Sequence, residues 1–326
     1  MDQSPPSDRR SFCRGVVGLS ALTLLPRTTF AMPSPADPAP TSLPISLAQW
    51  SLHREIFSGK LDPLRFPEVT MTRYGLAGCE YVNAFYKDKI GTSGYLARLK
   101  KVADDHGVAS LLIMCDGEGA LGDADEAGRR KAVENHKKWL EAAKFLGCHA
   151  IRVNAYSSGT WEEQLDRAAD GLTRLSEVAK GYDLNVLVEN HGGLSSNGAW
   201  LADVMKRVDL PNCGTLPDFG NFDLGNGVVY DRYQGVKELM PYAKAVSAKS
   251  RSFKADGEEK ETDFARMMTL VRGADFKGWV GIEWEGGKPS EHEGILLTKR
   301  LLEKVGCHAA RTGDGPFKVE EAVDGR

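Results

Sequence analysis

Three carboxylates in this sequence close aliphatic runs. Glu189 ends Val186-Leu187-Val188-Glu189, Glu283 ends Gly281-Ile282-Glu283, and Asp218 follows Thr215-Leu216-Pro217. Turns favour Gly, Asn, Asp and Ser, but they have no special use for Glu inside a Val/Ile run. Taken singly, a strand-end Glu is most often a surface salt-bridge partner; three at comparable places ask for a shared site. Side chains alternate along a strand, so Glu189 shares a face with Leu187 and His191, and Glu283 with Gly281 and Glu285. If that face is interior, three carboxylates meet. Buried together they cannot all stay ionised unless a divalent cation or a lysine offsets them. Lys249, in Val246-Ser247-Ala248-Lys249, is the basic side chain placed to help.

Such residues need elements that bring distant stretches together. Short β-like runs are expected at 45–52, 79–83, 109–115, 150–155, 185–189, 213–218, 244–249 and 279–283, with amphipathic stretches between them. Leu165, Leu172, Leu175, Val178 and Ala179 carry the clearest helical spacing. Eight strands each followed by a helix have the count and length of a single-domain α/β (β/α)8 barrel. A doubly wound sheet is the alternative, but no GxGxxG follows the first strand. In a barrel the chemistry gathers at the C-terminal strand ends, and here all eight ends are polar. Among them stand Arg152 and Asn154 on the fourth, His191 after the fifth and Asn221 after the sixth. Arg152 suits either an internal carboxylate or a substrate. Trp50, Phe85, Tyr86 and Trp284 suit either core packing or stacking on sugar faces.

The chain has 326 residues, 41% hydrophobic and 27% charged, the composition of a soluble globular protein. Residues 1–31 read as an export signal: Arg9-Arg10-Ser11-Phe12 resembles the twin-arginine type, and the apolar run after it is too short to span a bilayer. The expectation is a periplasmic or secreted protein with no membrane attachment after cleavage. Residues 32–44 then form a proline-rich leader, 45–307 the barrel and 308–326 a loose extension. Losing the signal removes four arginines and two aspartates, which takes the formal charge from -3 to -5. An acidic chain without a basic groove argues against nucleic acid as a partner. Five cysteines remain at spacings that predict neither a disulfide nor a zinc-thiolate site.

The barrel count together with "VENHGG", "PDFGN" and "GIEWEG" resembles the xylose isomerase-like TIM barrels, over about Ile45 to Val305. With the export signal and "SAKS", the chain looks like the secreted sugar phosphate isomerase/epimerase proteins of that superfamily. The resemblance implies one divalent ion, Mn²⁺ by preference over Mg²⁺, Co²⁺ or Zn²⁺, held by Glu, Asp, His and Glu from strands five to eight. Glu189, Asp218 and Glu283 match three of these; Ser247 stands where the histidine is usual, and Asn221 replaces the histidine of the sixth-strand element. The vacancy leaves His191 or water as a fourth ligand, or Lys249 in place of the ion.

By the same resemblance, Glu189 and Glu283 are the acid/base pair that moves a proton beside a carbonyl. The expected enzyme is an isomerase or epimerase acting on a small carbohydrate, with Lys249 stabilising an enolate oxygen. Asn154, His191, Asn221 and Arg152 would bind substrate. Elimination from a keto-glycoside uses the same enolate, and a sugar-binding barrel without catalysis is the non-enzymatic alternative. A homo-oligomer is compatible with this fold. The many-histidine zinc site of endonuclease IV-type relatives does not fit Asn83, Cys115 and Asp116.

Overall fold

The computed structural model describes residues Ser42 to Ala310; the expected export signal, most of the leader and all but the start of the extension lie outside them. Within this span eight parallel strands form the barrel: β1 (Leu43–Ala48), β2 (Gly78–Val82), β3 (Ala109–Met114), β4 (Ala150–Val153), β5 (Asn185–Glu189), β6 (Cys213–Leu216), β9 (Val246–Ser250) and β10 (Val280–Trp284). The interposed β7 (Asp223–Gly225) and β8 (Val228–Val229) make an antiparallel hairpin in the loop after β6. Strands β1 to β6 pair in sequence order, and β10 joins β1 to β9. Isolated parallel bridges Thr215–Ala243 and Asp218–Ser247 carry β6 across to β9 and close the ring.

All eight expected strands are present; the fifth matches at both ends, and the others shift at one end or both. The first stops at Ala48, not Leu52, because residues 49–52 coil into a 3-10 turn. There the Gln49 side chain accepts from the Val82 backbone N–H at 3.0 Å and donates to the Tyr86 hydroxyl at 2.7 Å. The sixth stops at Leu216 because Pro217 has no N–H for the ladder. At the other end β1 begins two residues early, and β11 (Cys307–Ala309) pairs with it in parallel, Leu43 opposite Cys307. The leader and extension therefore give up their inner residues to the sheet.

Helices follow the strands. The helix α5 (Trp161–Lys180) shows why: Thr160 and Glu163 form a capping box, and Leu165, Ala168, Leu172 and Leu175 turn inward at helical spacing. Deleting one such buried leucine would cost about 2–5 kcal/mol. α5 also packs closely through Gly171, where a Cβ would lie 1.8 Å from the Leu121 carbonyl oxygen. The helix α9 (Glu291–Lys304) repeats the box with Ser290 and Glu293. All five cysteines of the described span are free. No helix of the described residues is long and apolar enough to cross a membrane.

Candidate active site

β5, β6 and β10 aim Glu189, Asp218 and Glu283 at one point: one carboxylate oxygen from each lies within 4.8 Å of the others. All three residues are buried, Asp218 completely. Asp218 is just past the end of β6, held by Asn190, whose amide takes the Asp218 N–H at 2.7 Å and donates to the Asp218 and Asn221 carbonyls. In exchange Asp218 Oδ1 accepts the Gly220 and Asn221 N–H groups at 2.8 and 2.9 Å. Asn190 is thus a positioning residue that sequence reasoning passed over as part of "ENHGG".

Lys249 enters the same space from β9. Its Nζ lies 3.6 Å from Asp218 Oδ2, 3.4 Å from Glu283 Oε1 and 3.3 Å from Glu285 Oε2, and donates to Asn221 Oδ1 at 3.1 Å. The stem reaches it past Gly220, where a Cβ would meet Lys249 Cγ at 3.2 Å. Burial alone would lower the lysine's pKa, but Asp218, Glu283, Glu189 and Glu285 outweigh it and hold the ammonium charged. Ser247, on the same strand, places its hydroxyl 2.7 Å from Asp218 Oδ2 and 2.8 Å from Glu283 Oε2. Asn221 completes the ring by donating to Glu189 Oε1 at 2.9 Å.

Arg152 is a second internal cation. It pairs with Asp116 at 2.8 Å and stands 2.9 Å from Glu189 Oε2, without hydrogen-bond alignment to the latter. Burial opposes the guanidinium charge, and Glu189 and Asp116 more than restore it. Asp116 is only part-buried; desolvation still pushes its carboxyl up, but Arg152 and Asn154 (2.7 Å) outweigh it and pull its pKa down to about 2. For Glu189 burial wins over Arg152, so its pKa is raised; Asp218 is raised for the same first reason. The geometric pairing and the raised carboxyl are compatible, because attraction to one arginine only partly repays full desolvation.

The expected site residues therefore fall into two sets. Glu189, Asp218, Glu283, Lys249 and Asn221 form one network, and Arg152 joins it through Glu189, with Asn154 one residue further out. His191 does not fill the place of the missing histidine: it stays at the rim, its Nδ1 2.8 Å from the Tyr156 hydroxyl. Burial, Arg152 and Lys249 all lower its pKa, so it is a neutral ring in a cationic neighbourhood. A cleft of about 430 Å³ opens there, lined by Tyr156, His191, Gly192, Gly193, Asn221 and Arg251. Gly192 and Gly193 have φ of 81° and 56°, and a Cβ at either would meet no atom closer than 3.8 Å. Both form an open lip of the cleft, in a conformation that favours glycine.

Besides Asn190, two further participants were missed. Glu80 on β2 lies deep in the barrel, accepting from Ser46 at 2.6 Å, and burial raises its pKa to about 7. The signal was present, since Glu80 sits in Cys79-Glu80-Tyr81-Val82 just as Glu189 sits in its own run. Arg251, beside Asn221 at 3.3 Å and Glu285 at 3.5 Å, carried no such signal.

The triad has the shape of a metal site, but its donor set does not fit a resident divalent ion as arranged. Four of the six carboxylate oxygens lie in hydrogen bonds, two of them to the one Ser247 hydroxyl; the other two face the Arg152 and Lys249 cations. An ion on the same oxygens would share them with an ammonium. Even unit cations at roughly 4 Å repel by about 4 kcal/mol at an effective dielectric of 20, and a divalent charge doubles that.

The sequence profile of the xylose isomerase-like TIM barrel family matches residues 71–304, and the chain belongs to that family. Solved structures share the fold at low identity. 3-Keto-D-glucoside 4-epimerase YcjR from E. coli is 16% identical with a TM-score of 0.59, over 74% of this chain and 94% of its own. The IOLI protein with a bound zinc atom is 16% identical with a TM-score of 0.61, over 81% and 98%. A sugar phosphate isomerase/epimerase from Parabacteroides distasonis is 17% identical with a TM-score of 0.59, over 81% and 94%. No curated protein matches the chain.

Proposed function

We propose that this protein is a sugar isomerase/epimerase-like enzyme that moves a proton on the carbon beside a carbonyl of a small carbohydrate. One observation carries the reading. The two triad oxygens without a hydrogen bond, Glu189 Oε2 and Glu283 Oε1, belong to different glutamates, and each faces a cation instead. One glutamate removes the proton and the other returns one, while Lys249 and Arg152 oppose the negative charge that develops on the carbonyl oxygen. Burial raises Glu189 and so makes it a stronger base than a free carboxylate. Asn221, at both the cleft and the triad, is the hydroxyl-binding residue nearest the chemistry; Asn154 and His191 flank it.

Carbohydrate as substrate class rests on the family and on neighbours named as epimerases of keto-glucosides and of D-tagatose type. The experiment is substrate proton exchange in D₂O over a panel of sugars and keto-glycosides, reading isomer and elimination products alike. Glu189→Gln and Glu283→Gln should each lower exchange by about 10²–10⁴-fold. If both variants bind sugar with unchanged affinity and the native protein exchanges no proton, the enzyme reading gives way to a sugar-binding barrel.

We also propose twin-arginine export to the periplasm or beyond, on Arg9-Arg10-Ser11-Phe12 and the short apolar run after it. Replacing both arginines by lysine should leave the protein in the cytoplasm; unaltered secretion sinks this route.

A further inference from the structure

We infer that Lys249 is the resident cation of this barrel: its ammonium occupies the role that a divalent ion would otherwise have, and the chain holds no metal at the triad. The kinetic part rests on the proton-transfer reading above; the binding part does not.

Ser247 and Lys249 alternate with Ala248, so both face the barrel interior, one residue apart on the same side. Ser247 sets one hydroxyl, with a single hydrogen to share, between Asp218 Oδ2 and Glu283 Oε2, where the resemblance expects an imidazole nitrogen. Lys249 then reaches Asp218, Glu283 and Glu285 together. Its own surroundings are built for it. The residue is only 3% exposed, Gly220 leaves room for the stem, and Asn221 supplies an acceptor on the remaining side.

An ammonium among three carboxylate acceptors, Asp218, Glu283 and Glu285, cannot leave without stranding several buried charges. Glu285 adds a fourth carboxylate outside the triad, itself tied to the Trp50 indole at 3.1 Å, so Lys249 is attracted from a direction no triad ion would serve. The His191 ring, turned to Tyr156, completes no coordination shell. The outcome is a fixed single charge in place of an exchangeable double one, and a site indifferent to metal supply.

The test begins with chelated, purified full chain titrated with Mn²⁺, Co²⁺ and Zn²⁺, reading bound metal per chain and the thermal midpoint. Native protein should take up no ion at the triad and show no midpoint shift. Lys249→Met, and Lys249→Met with Ser247→His, should gain an Mn²⁺-dependent rise in midpoint that Asp218→Asn abolishes. Uptake of one ion per native chain, lost in Asp218→Asn or Glu283→Gln, overturns the proposal; that result is decisive even if the Lys249 variants do not fold. Proton exchange that persists in EDTA supports it, and exchange that appears only with Mn²⁺ overturns it. A native chain with neither metal nor exchange refutes the proton-transfer reading and leaves Lys249 as the resident cation.

Discussion

The side-chain amide of Asn221 donates to Glu189 Oε1 at 2.9 Å. Its other end accepts from Lys249, so a single amide sets both the glutamate and the ammonium. A hydrogen bond to the ionised form of a carboxyl lowers its pKa. Asn221→Leu should therefore push Glu189 up further, and the rising limb of the kcat/KM profile should move to higher pH. A profile that only scales down, with the limb in place, would show that Asn221 binds substrate without tuning the base.

Arg152 stands between Asp116 and Glu189, 2.8 and 2.9 Å away. Removing one partner of a buried ion cluster strands the rest, typically at about 3–5 kcal/mol. Arg152→Leu should lose stability of that order by denaturant unfolding, and Glu189→Gln, which neutralises the buried partner left behind, should recover part of it in the same chain. Full additivity of the two losses would contradict the pairing.

Glu80 yields a pH dependence of known sign. Its pKa is raised from 4.5 to about 7 by burial, so the folded state prefers it protonated. The native protein keeps this contribution below pH 4.5 and loses it as pH rises through 7, by about 3 kcal/mol at most. Glu80→Gln should be more stable than native at pH 8, and the gain should vanish by pH 4. Asp116 works in the opposite direction: with its pKa down to about 2, its contribution is present above pH 4 and fades toward pH 2. Thermal midpoints of native and Glu80→Gln chains across pH separate the two.

Gly171 sets helix propensity against packing. Alanine in mid-helix gains about 1 kcal/mol over glycine. Here its Cβ would stand 1.8 Å from the Leu121 carbonyl oxygen, a backbone atom that cannot swing aside. Overpacking costs about 1–3 kcal/mol, more where backbone must move. Gly171→Ala should lower stability; a rise would mean that the loop before α4 (Glu126–Leu146) yields freely.

Much of this was legible because the barrel writes its strands as aliphatic runs. The positions of all eight, and the convergence of Glu189, Asp218 and Glu283, follow from period-two alternation and polar strand ends. What hid was set by side-chain reach. Arg152 and Lys249 can each extend to several carboxylates, and only the fold decides that Arg152 takes Asp116 and Glu189 while Lys249 takes Asp218, Glu283 and Glu285. His191 shares its strand face with Glu189, yet the chain has left the strand by then and turned the ring to Tyr156. Strand ends slipped where Pro217 and the Gln49 side chain bond redirected the backbone.

The pairing of β11 with the start of β1 has a practical side. Both strands run parallel, and Leu43 faces Cys307 at the barrel end away from the reacting groups. The two ends of the described fold are thus neighbours on the floor, while the cleft opens at the opposite rim. A protein tethered to a bead, a membrane anchor or a fusion partner through either end would keep its mouth turned outward to the medium.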